Sequence, residues 1–227
     1  MKKILMVLTN NGKYGNNDEA TGLWLAEATE FVEEVTKAGF KVDYVSPLGG
    51  VVPIDPRSLG KMYVKKEDLE IYQSEDFKTR ALTNSLKASE VNAEDYIAIY
   101  YAGGHGVMWD FPDDENLQQL SIKIYQNGGY VTSVCHGVAG LLNIKIDDKY
   151  LIAGKKITGF TQTEEILSGK NKLVPFATEK VAKERGANFT KKRFFSSYAV
   201  QDGQLITGQN PMSGRAVAKL LVENLTK

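Results

Sequence analysis

Short strand-length runs rich in apolar residues alternate along this chain with longer stretches whose apolar residues recur at helical spacing. The runs lie at residues 3–9, 41–46, 96–101 and 130–134, and in the first of them apolar residues follow one another almost without interruption. A strand with such a run is buried on both faces of its sheet, and helix-length connections give parallel pairing. The pattern predicts the α/β class: a doubly wound, mostly parallel sheet with helices on both faces, a flavodoxin-like three-layer sandwich.

Helices are predicted between the strands. In the first, from about residue 22 to residue 38, the apolar positions share one face: Trp24, Ala28, Phe31, Val32 and Val35. The other predicted elements are helices at 77–88, 116–126, 178–185 and 211–225, a short helix ending near Leu142, a helical turn at 163–167, a strand at 156–159, and a hairpin of 198–201 and 204–207 around Asp202-Gly203. Residues 47–73 are rich in proline and glycine and are predicted to be mostly loop.

A single domain spanning residues 1–227 is predicted, because the chain shows no internal repeat and no low-complexity linker. The 28 basic and 28 acidic residues balance, which argues against nucleic acid or an anionic membrane as the main partner. No apolar run approaches the ~20 residues of a membrane span, and the apolar start of the chain ends at Asn10, too early for a signal peptide. A lone cysteine fits a reducing compartment, so we expect a cytoplasmic protein.

The scarcest residues give the first functional indication. The chain has two histidines, His105 and His136, and one cysteine, Cys135. All three follow predicted strands directly, and parallel sheets bind ligands beyond the carboxyl ends of their strands. A three-histidine zinc site and a four-ligand cysteine–histidine cluster are both impossible with this inventory, so we expect no metal.

Cys135 lies in a strand–Cys–His–Gly–helix sequence, which is typical of a nucleophile elbow. The alternative is a buried core cysteine, the ordinary state of a lone cysteine. In an elbow the sulfur is exposed at a sharp turn, and the N–H groups of the following helix favour the thiolate. The backbone N–H of His136 and the glycine-rich loop around Gly104 are candidates for binding an oxyanion.

A general base is harder to find. Glu27 lies at the edge of the apolar arc of the first predicted helix, where helical geometry alone favours a solvated side chain. If Glu27 were buried near Cys135, desolvation would raise its pKa and suit it to proton transfer near neutrality. The chain has neither a G-x-G-x-x-G nor a G-x-x-x-x-G-K-[ST] motif, so a nucleotide cofactor is disfavoured.

Ordered motifs across nearly the whole chain resemble the ThiJ/PfpI superfamily, related to class I glutamine amidotransferases, and within it the branch of glutathione-independent glyoxalases and heat-inducible chaperones. The matching stretches are Thr21-Gly22 with Glu27-Ala28, residues 90–96 with Gly104-His105-Gly106, Asn127-Gly128-Gly129 before Val134-Cys135-His136-Gly137, residues 157–161 with Glu165, and residues 207–211 with Ser213. Any one of these tripeptides alone is weak evidence for the family, but the whole set in this order is specific for it.

The resemblance implies a catalytic Cys135 beside Glu27, with His136 and Glu165 completing a triad, and Gly104 and His105 lining the same pocket. It also implies a homodimer that uses neither a metal nor glutathione. The chain has no spare histidines for the extra two-histidine metal site of some chaperone members. It also has no histidine beyond His136, which amidotransferases need, so a glutaminase is disfavoured.

The reaction implied by the resemblance is the conversion of methylglyoxal, or another α-oxoaldehyde, to D-lactate or the corresponding 2-hydroxy acid. Cys135 would form a hemithioacetal, and Glu27 would relay a proton between adjacent carbons. Two alternatives remain open at this point. One is a holdase chaperone or protein deglycase; the other is a cysteine peptidase or amidase, which needs His136 or His105 within reach of the sulfur as a base.

Overall fold

The computed structural model of the protein describes residues 3–227. The strands are β1 Lys3–Val7, β2 Lys41–Ser46, β3 Leu86–Lys87, β4 Tyr96–Tyr101, β5 Tyr130–Val134, β6 Lys145–Ile146, β7 Lys149–Tyr150, β8 Lys156–Ile157, β9 Asn188–Phe189, β10 Ala199–Asp202 and β11 Leu205–Gly208. The α-helices are α1 Leu25–Lys37, α2 Lys66–Gln73, α3 Val107–Asp110, α4 Glu115–Gln126, α5 Gln162–Leu167, α6 Thr178–Glu184 and α7 Gly214–Leu225.

A seven-stranded sheet in the order β10-β11-β5-β4-β1-β2-β3 forms the centre of the molecule. Every neighbouring pair in it is parallel except the β10–β11 hairpin. The hairpin is where the sequence predicts it, but Asp202 pairs with Leu205, so the turn is Gly203-Gln204, one residue later than predicted. The predicted α/β class and mostly parallel, doubly wound sheet are confirmed. From β1 the chain continues to β2 and β3 on one side of the sheet and then crosses to β4 and β5 on the other side. Such a change of direction opens a crevice at the carboxyl ends of the strands.

Each face of the sheet carries its own apolar core. On one face α1 and α7 pack together, and the ring of Phe31 stacks on that of Tyr100 at 3.7 Å. On the other face α4 and α6 cover the sheet with residues such as Leu117, Ile124 and Ala182. Burial on both faces explains why β1, β4 and β5 consist mainly of apolar residues.

The register of the central strands brings their carboxyl ends to one edge. Val7 at the end of β1 pairs with Val45 and with Tyr101, and Tyr101 in turn pairs with Ser133 of β5. The loop after β4 and the turn after β5 therefore start side by side. These are the two segments that carry the histidines and the cysteine.

The segment between β2 and β4 departs from the sequence prediction. Residues 66–73 form α2 within the predicted loop, and a π-helical turn at Phe77–Thr83 replaces most of the predicted helix 77–88. The remainder pairs with β2 as the edge strand β3, because Ser85 bonds through its hydroxyl to Ser46 and Gly50 and ties the chain to the sheet. The predicted strand 156–159 shortens to β8, which pairs with β9 outside the main sheet.

Across residues 3–227 we find no helix that combines the length and the apolar character needed to cross a membrane.

Replacing Phe31 by alanine is expected to lower the free energy of unfolding by about 3–5 kcal/mol, because a buried aromatic ring leaves a cavity against Tyr100. Phe194→Ala, at an exposed ring, should change it by less than about 0.5 kcal/mol. Urea unfolding of both variants at constant m-value measures the difference. Equal shifts for the two variants would contradict the packing described above.

Candidate active site

Cys135 occupies a sharp turn at the end of β5. Its φ of 57° lies in the left-handed region, which few non-glycine residues adopt. Such strain costs of order 1–3 kcal/mol and persists where the surroundings impose it. Gly137 makes the turn feasible, since a Cβ at that position would lie 2.2 Å from the carbonyl oxygen of Tyr101. The turn thus fixes the sulfur beyond the carboxyl end of β5.

Glu27 is fully buried beside Cys135, with a relative exposure of 0%. The expectation from helical geometry alone, a solvated side chain, was wrong. Gly103 donates its backbone N–H to Glu27 Oε2 at 2.7 Å, and the Tyr100 hydroxyl donates to the Glu27 carbonyl oxygen at 2.8 Å. Gly214 at the start of α7 packs against the Glu27 backbone. The edge of α1 is therefore covered by the end of β4 and by α7, which helical periodicity does not reveal.

The Glu27 carboxyl and the Cys135 thiol interact directly, and each shifts the titration of the other. Burial raises the pKa of Glu27 to about 8, although hydrogen bonds from the thiol and from Gly103 favour the carboxylate. Burial and the neighbouring Glu27 raise the pKa of the Cys135 thiol well above its ordinary value. The N–H group of His136 favours the thiolate, as expected of such a turn, but burial and Glu27 outweigh it. The pair does not tolerate two negative charges.

Glu165 joins both histidines. His105 Nε2 lies 2.8 Å from Glu165 Oε1, and His136 Nε2 lies 2.7 Å from Glu165 Oε2. Since the carboxylate only accepts, both rings donate through Nε2–H, and their Nδ1 atoms are acceptors when the rings are neutral. His136 Nδ1 then faces Cys135 Sγ at 3.5 Å. Burial opposes charge on Glu165, but His136 and His105 hold its pKa well below the usual range.

Arg57 completes this network from the far side of His105. Its Nη2 lies 3.0 Å from His105 Nδ1, and the buried Asp55 holds its guanidinium through Nε and Nη2 at 3.0 and 2.7 Å. A guanidinium is always a donor, so it fixes the His105 tautomer. Burial and the neighbouring His136 lower the pKa of His105 to about 4. Sequence reasoning missed Arg57, although Asp55 before Pro56 is a helix-start signal and does cap a short 3₁₀ turn there.

The expected oxyanion donors belong to residues that line the same cavity as Cys135. The backbone N–H of His136 points at Cys135 Sγ and partly offsets the effect of burial on the thiol. Gly104 lines the cavity at a φ of +105°, and a Cβ there would lie 2.1 Å from the Gly22 carbonyl oxygen. Its N–H forms no hydrogen bond among residues 3–227. It is therefore available to a ligand oxygen.

A cavity of about 310 Å³ opens above Cys135. Its polar end is formed by Gly104, His105, Cys135 and His136, with Arg57 and Ser168 beside it, and its other lining residues are Trp24, Tyr63, Phe160, Leu167, Phe195, Pro211 and Met212. Sequence reasoning missed the apolar lining, because these residues come from separate loops and share no periodicity.

The ligand atoms of His105, His136 and Glu165 lie within 4.8 Å of one another, close enough to approach a metal ion. A metal-bound histidine normally donates its other ring N–H to an acceptor. Here the Nδ1 of His105 faces the Arg57 guanidinium, a donor carrying a positive charge. These residues are arranged to share protons with Glu165, and they do not fit a cation.

Comparison with known proteins identifies the family. The model of the DJ-1/PfpI family matches residues 20–224. The chain belongs to the DJ-1/PfpI family. The resemblance expected from the ordered motifs is confirmed.

DJ-1/PfpI relatives match over nearly the whole length. Glutathione-independent glyoxalase HSP31 of Saccharomyces cerevisiae is 35% identical, with 99% of this chain and 98% of that protein covered. The crystal structure of glyoxalase III from Candida albicans superposes with a TM-score of 0.89 at 30% identity, covering 98% of this chain and 96% of that one. The Francisella tularensis Rapid Encystment Protein 24 KDa superposes with a TM-score of 0.95 at 37% identity, covering 99% of each.

In this DJ-1/PfpI chain the raised pKa of Glu27 predicts a pH-dependent stability. Between the ordinary value of 4.5 and about 8, the unfolded chain has lost the Glu27 proton and the folded chain keeps it. The free energy of unfolding therefore falls as pH rises through this window, by at most about 1.4 kcal/mol per pH unit. Glu27→Gln removes the titration and should flatten the curve. Parallel curves for the two proteins in urea unfolding would contradict the buried, protonated Glu27.

The Arg57–His105–Glu165 contacts predict that His105 stays neutral, with its proton on Nε2, from neutral pH down to about pH 5, because its pKa is lowered to about 4. Long-range ¹H–¹⁵N NMR spectra distinguish the tautomers, and His105→Gln assigns the signals, since the chain has two histidines. A His105 ring that titrates near 6.5 would show that this network does not hold it.

Proposed function

We propose that this protein is a glutathione-independent glyoxalase that converts methylglyoxal and related α-oxoaldehydes to 2-hydroxy acids, with D-lactate as the product from methylglyoxal. Full-length relatives carry the name glutathione-independent glyoxalase or glyoxalase III. One observation of this structure carries the proposal. The sulfur of Cys135 lines the cavity, and the buried carboxyl of Glu27, whose pKa is raised to about 8, interacts with that sulfur.

The first step is addition of Cys135 Sγ to the aldehyde carbon of the substrate. The C=O bond opens, the thiol proton passes to the new alkoxide through His136 or Glu27, and a hemithioacetal forms. In this step the developing oxyanion would accept from the N–H groups of Gly104 and His136, two residues that line the cavity together with Cys135. Glu165 stabilises His136 while that ring carries a proton.

The second step is an internal transfer of hydrogen. Glu27 removes the proton from the hemithioacetal carbon and returns it to the neighbouring carbonyl carbon through an enediol. The aldehyde carbon is thereby oxidised to a thioester and the ketone carbon is reduced to an alcohol, so no external oxidant or reductant takes part. Gly103 holds Glu27 in one position, and a single base that acts on a substrate held in one orientation would deliver the proton to one face, giving one enantiomer. Water then hydrolyses the thioester and releases the 2-hydroxy acid and the thiol.

The pKa of Glu27 suits this role. A proton relay must accept and release within one turnover, and it does so best when its pKa is close to the working pH. Glu27, raised to about 8, meets that requirement, whereas Glu165 is held as a carboxylate by two histidines.

A cysteine hydrolase is the second candidate, favoured by the 3.5 Å contact between His136 Nδ1 and Cys135 Sγ with Glu165 behind the ring. That arrangement is the nucleophile–base–carboxylate order of cysteine hydrolases. In it Glu27 would have no step to perform. The two candidates therefore differ in which side chain turnover depends on.

Incubating the protein with methylglyoxal without glutathione is expected to yield D-lactate. Cys135→Ala should abolish turnover, because the chain has no other thiol. Glu27→Gln keeps the shape but removes the base, and should lower kcat by about 10²–10⁴-fold. His105→Ala and Glu165→Gln should cost less, because neither contacts the reacting carbons in this mechanism.

Glu30→Gln is the matched control for Glu27→Gln. Glu30 lies on the same helix and is also buried, but its carboxylate pairs with Lys65 at 2.7 Å, whereas that of Glu27 interacts with Cys135. This variant should keep near-normal turnover. Near-normal turnover by Glu27→Gln together with its loss in His136→Ala would reject the glyoxalase and favour the hydrolase, with peptides and amides as the substrates to assay.

The homodimer implied by the family resemblance and the cytoplasmic location expected from the lone cysteine stay predictions. Size-exclusion chromatography with light scattering tests the first, and fractionation of cells tests the second.

A further inference from the structure

The proposed reaction uses only one end of the cavity. An α-oxoaldehyde places its two carbonyl carbons against Cys135, Glu27 and the Gly104 loop. The rest of the lining is almost entirely apolar, and it consists of Trp24, Tyr63, Phe160, Leu167, Phe195, Pro211 and Met212. The methyl group of methylglyoxal is too small to reach across a cavity of about 310 Å³. Most of this apolar surface has no role in the reaction described so far.

An aromatic wall leads from the catalytic end to the surface. The ring of Phe160 packs on His136 with centroids 4.3 Å apart, and the ring of Phe195 follows at 6.3 Å. Phe160 is buried, whereas Phe195 is 41% exposed at the mouth. On another part of the lining Trp24 and Tyr63 meet edge to face at 4.9 Å. An apolar chain attached to a carbonyl at Cys135 would contact this wall along its length.

The mouth of the cavity is also apolar. Leu167 and Met212 line it and stay 54% and 39% exposed. Exposed apolar side chains that converge on a concave site indicate a ligand that covers them. The charge that lines the cavity outside the catalytic cluster is that of Arg57, and the buried Asp55 holds that guanidinium in a two-point ion pair. The cavity therefore favours an apolar substituent over a charged one.

We propose that the cavity is a subsite for α-oxoaldehydes whose ketone carbon carries an extended alkyl group, and that these are better substrates than methylglyoxal. The chain would lie along Phe160 and Phe195 and reach Leu167 at the mouth. This proposal rests on the proposed glyoxalase function for the reaction itself, and on the cavity lining for the selectivity.

The expected gain in affinity for longer alkyl groups follows from the burial of their methylene groups. Each methylene transferred from water to an apolar site contributes about fourfold in affinity when fully buried, and about twofold near an exposed mouth. The chain makes the same contacts before and during the reaction. The gain should therefore appear as a lower KM with kcat nearly unchanged.

The experiment compares methylglyoxal, propylglyoxal and pentylglyoxal, whose reacting carbonyls are electronically alike. We expect kcat/KM to rise about two- to fourfold per added methylene, because KM falls while kcat stays nearly unchanged. A flat or falling series with normal turnover of methylglyoxal would overturn the subsite and leave the glyoxalase function standing.

Two neighbouring pairs of residues supply matched variants. Leu167 and Ile166 end the same helix at 54% and 55% exposure, but Leu167 alone of the two lines the cavity. Phe195 and Phe194 are 41% and 45% exposed, and again only Phe195 lines it. Leu167→Asn and Phe195→Asn should reduce the chain-length dependence, whereas Ile166→Asn and Phe194→Asn should keep it. Equal effects within each pair would overturn the assignment.

A second readout does not depend on turnover. The chain has one cysteine, so intact mass reports modification of Cys135 alone. N-ethyl-, N-butyl- and N-hexylmaleimide should modify it at rates that rise with chain length, after normalisation to their rates with glutathione. If the rates rise with chain length but methylglyoxal is not turned over, the proposed function is rejected and the subsite is supported. Equal normalised rates for the three maleimides would reject the subsite.

Discussion

The carbonyl oxygen of Tyr101, the last residue of β4, lies so close to Gly137 that a Cβ at that position would come within 2.2 Å of it. The turn after β5 therefore packs closely against the end of β4, and within this turn Cys135 adopts its left-handed conformation. Gly103, two residues after Tyr101, donates to the Glu27 carboxyl. The end of β4 therefore positions both the Cys135 sulfur and the Glu27 carboxyl beside it. The position of that strand end is set in turn by the parallel register of β4 with β1 and β5.

Two buried glutamates with opposite electrostatic surroundings divide the chemistry of the site. Glu27 has the thiol and one backbone N–H as partners, too few to offset burial, so its pKa rises to about 8. Glu165 lies between two imidazole rings, which hold its pKa well below the usual range in spite of burial. When the surroundings of a site shift the pKa values of two acids in opposite directions, the two acids are suited to different catalytic roles. Glu27 is suited to move protons, whereas Glu165 is suited to carry a constant negative charge that orients His136.

The central sheet and the ends of its strands were predictable from sequence, because apolar strands separated by amphipathic helices permit few other arrangements. The placement of Cys135, His105 and His136 beyond the carboxyl ends of strands followed from this pattern alone. The burial of Glu27 did not, because helix α7, more than 180 residues later, covers the edge of α1. Arg57 and the apolar lining of the cavity were not predictable for the same reason: each depends on long-range packing of loops, which local periodicity does not encode.

The position of Cys135 between two proton acceptors bears on which chemistry the site performs. Thiol attack requires only that the sulfur lose its proton, and His136 at 3.5 Å is sufficient for that. Moving a hydrogen between adjacent substrate carbons requires a second group that reaches those carbons and that exchanges a proton near neutral pH. Glu165 does not qualify, because both of its oxygens are occupied by histidine N–H groups. In the proposed mechanism Glu27 is that group, because Gly103 engages Oε2 while Oε1 forms no hydrogen bond to a nitrogen or oxygen atom within residues 3–227. The proposed isomerisation gives this buried carboxyl a step to perform, whereas the hydrolase candidate gives it none.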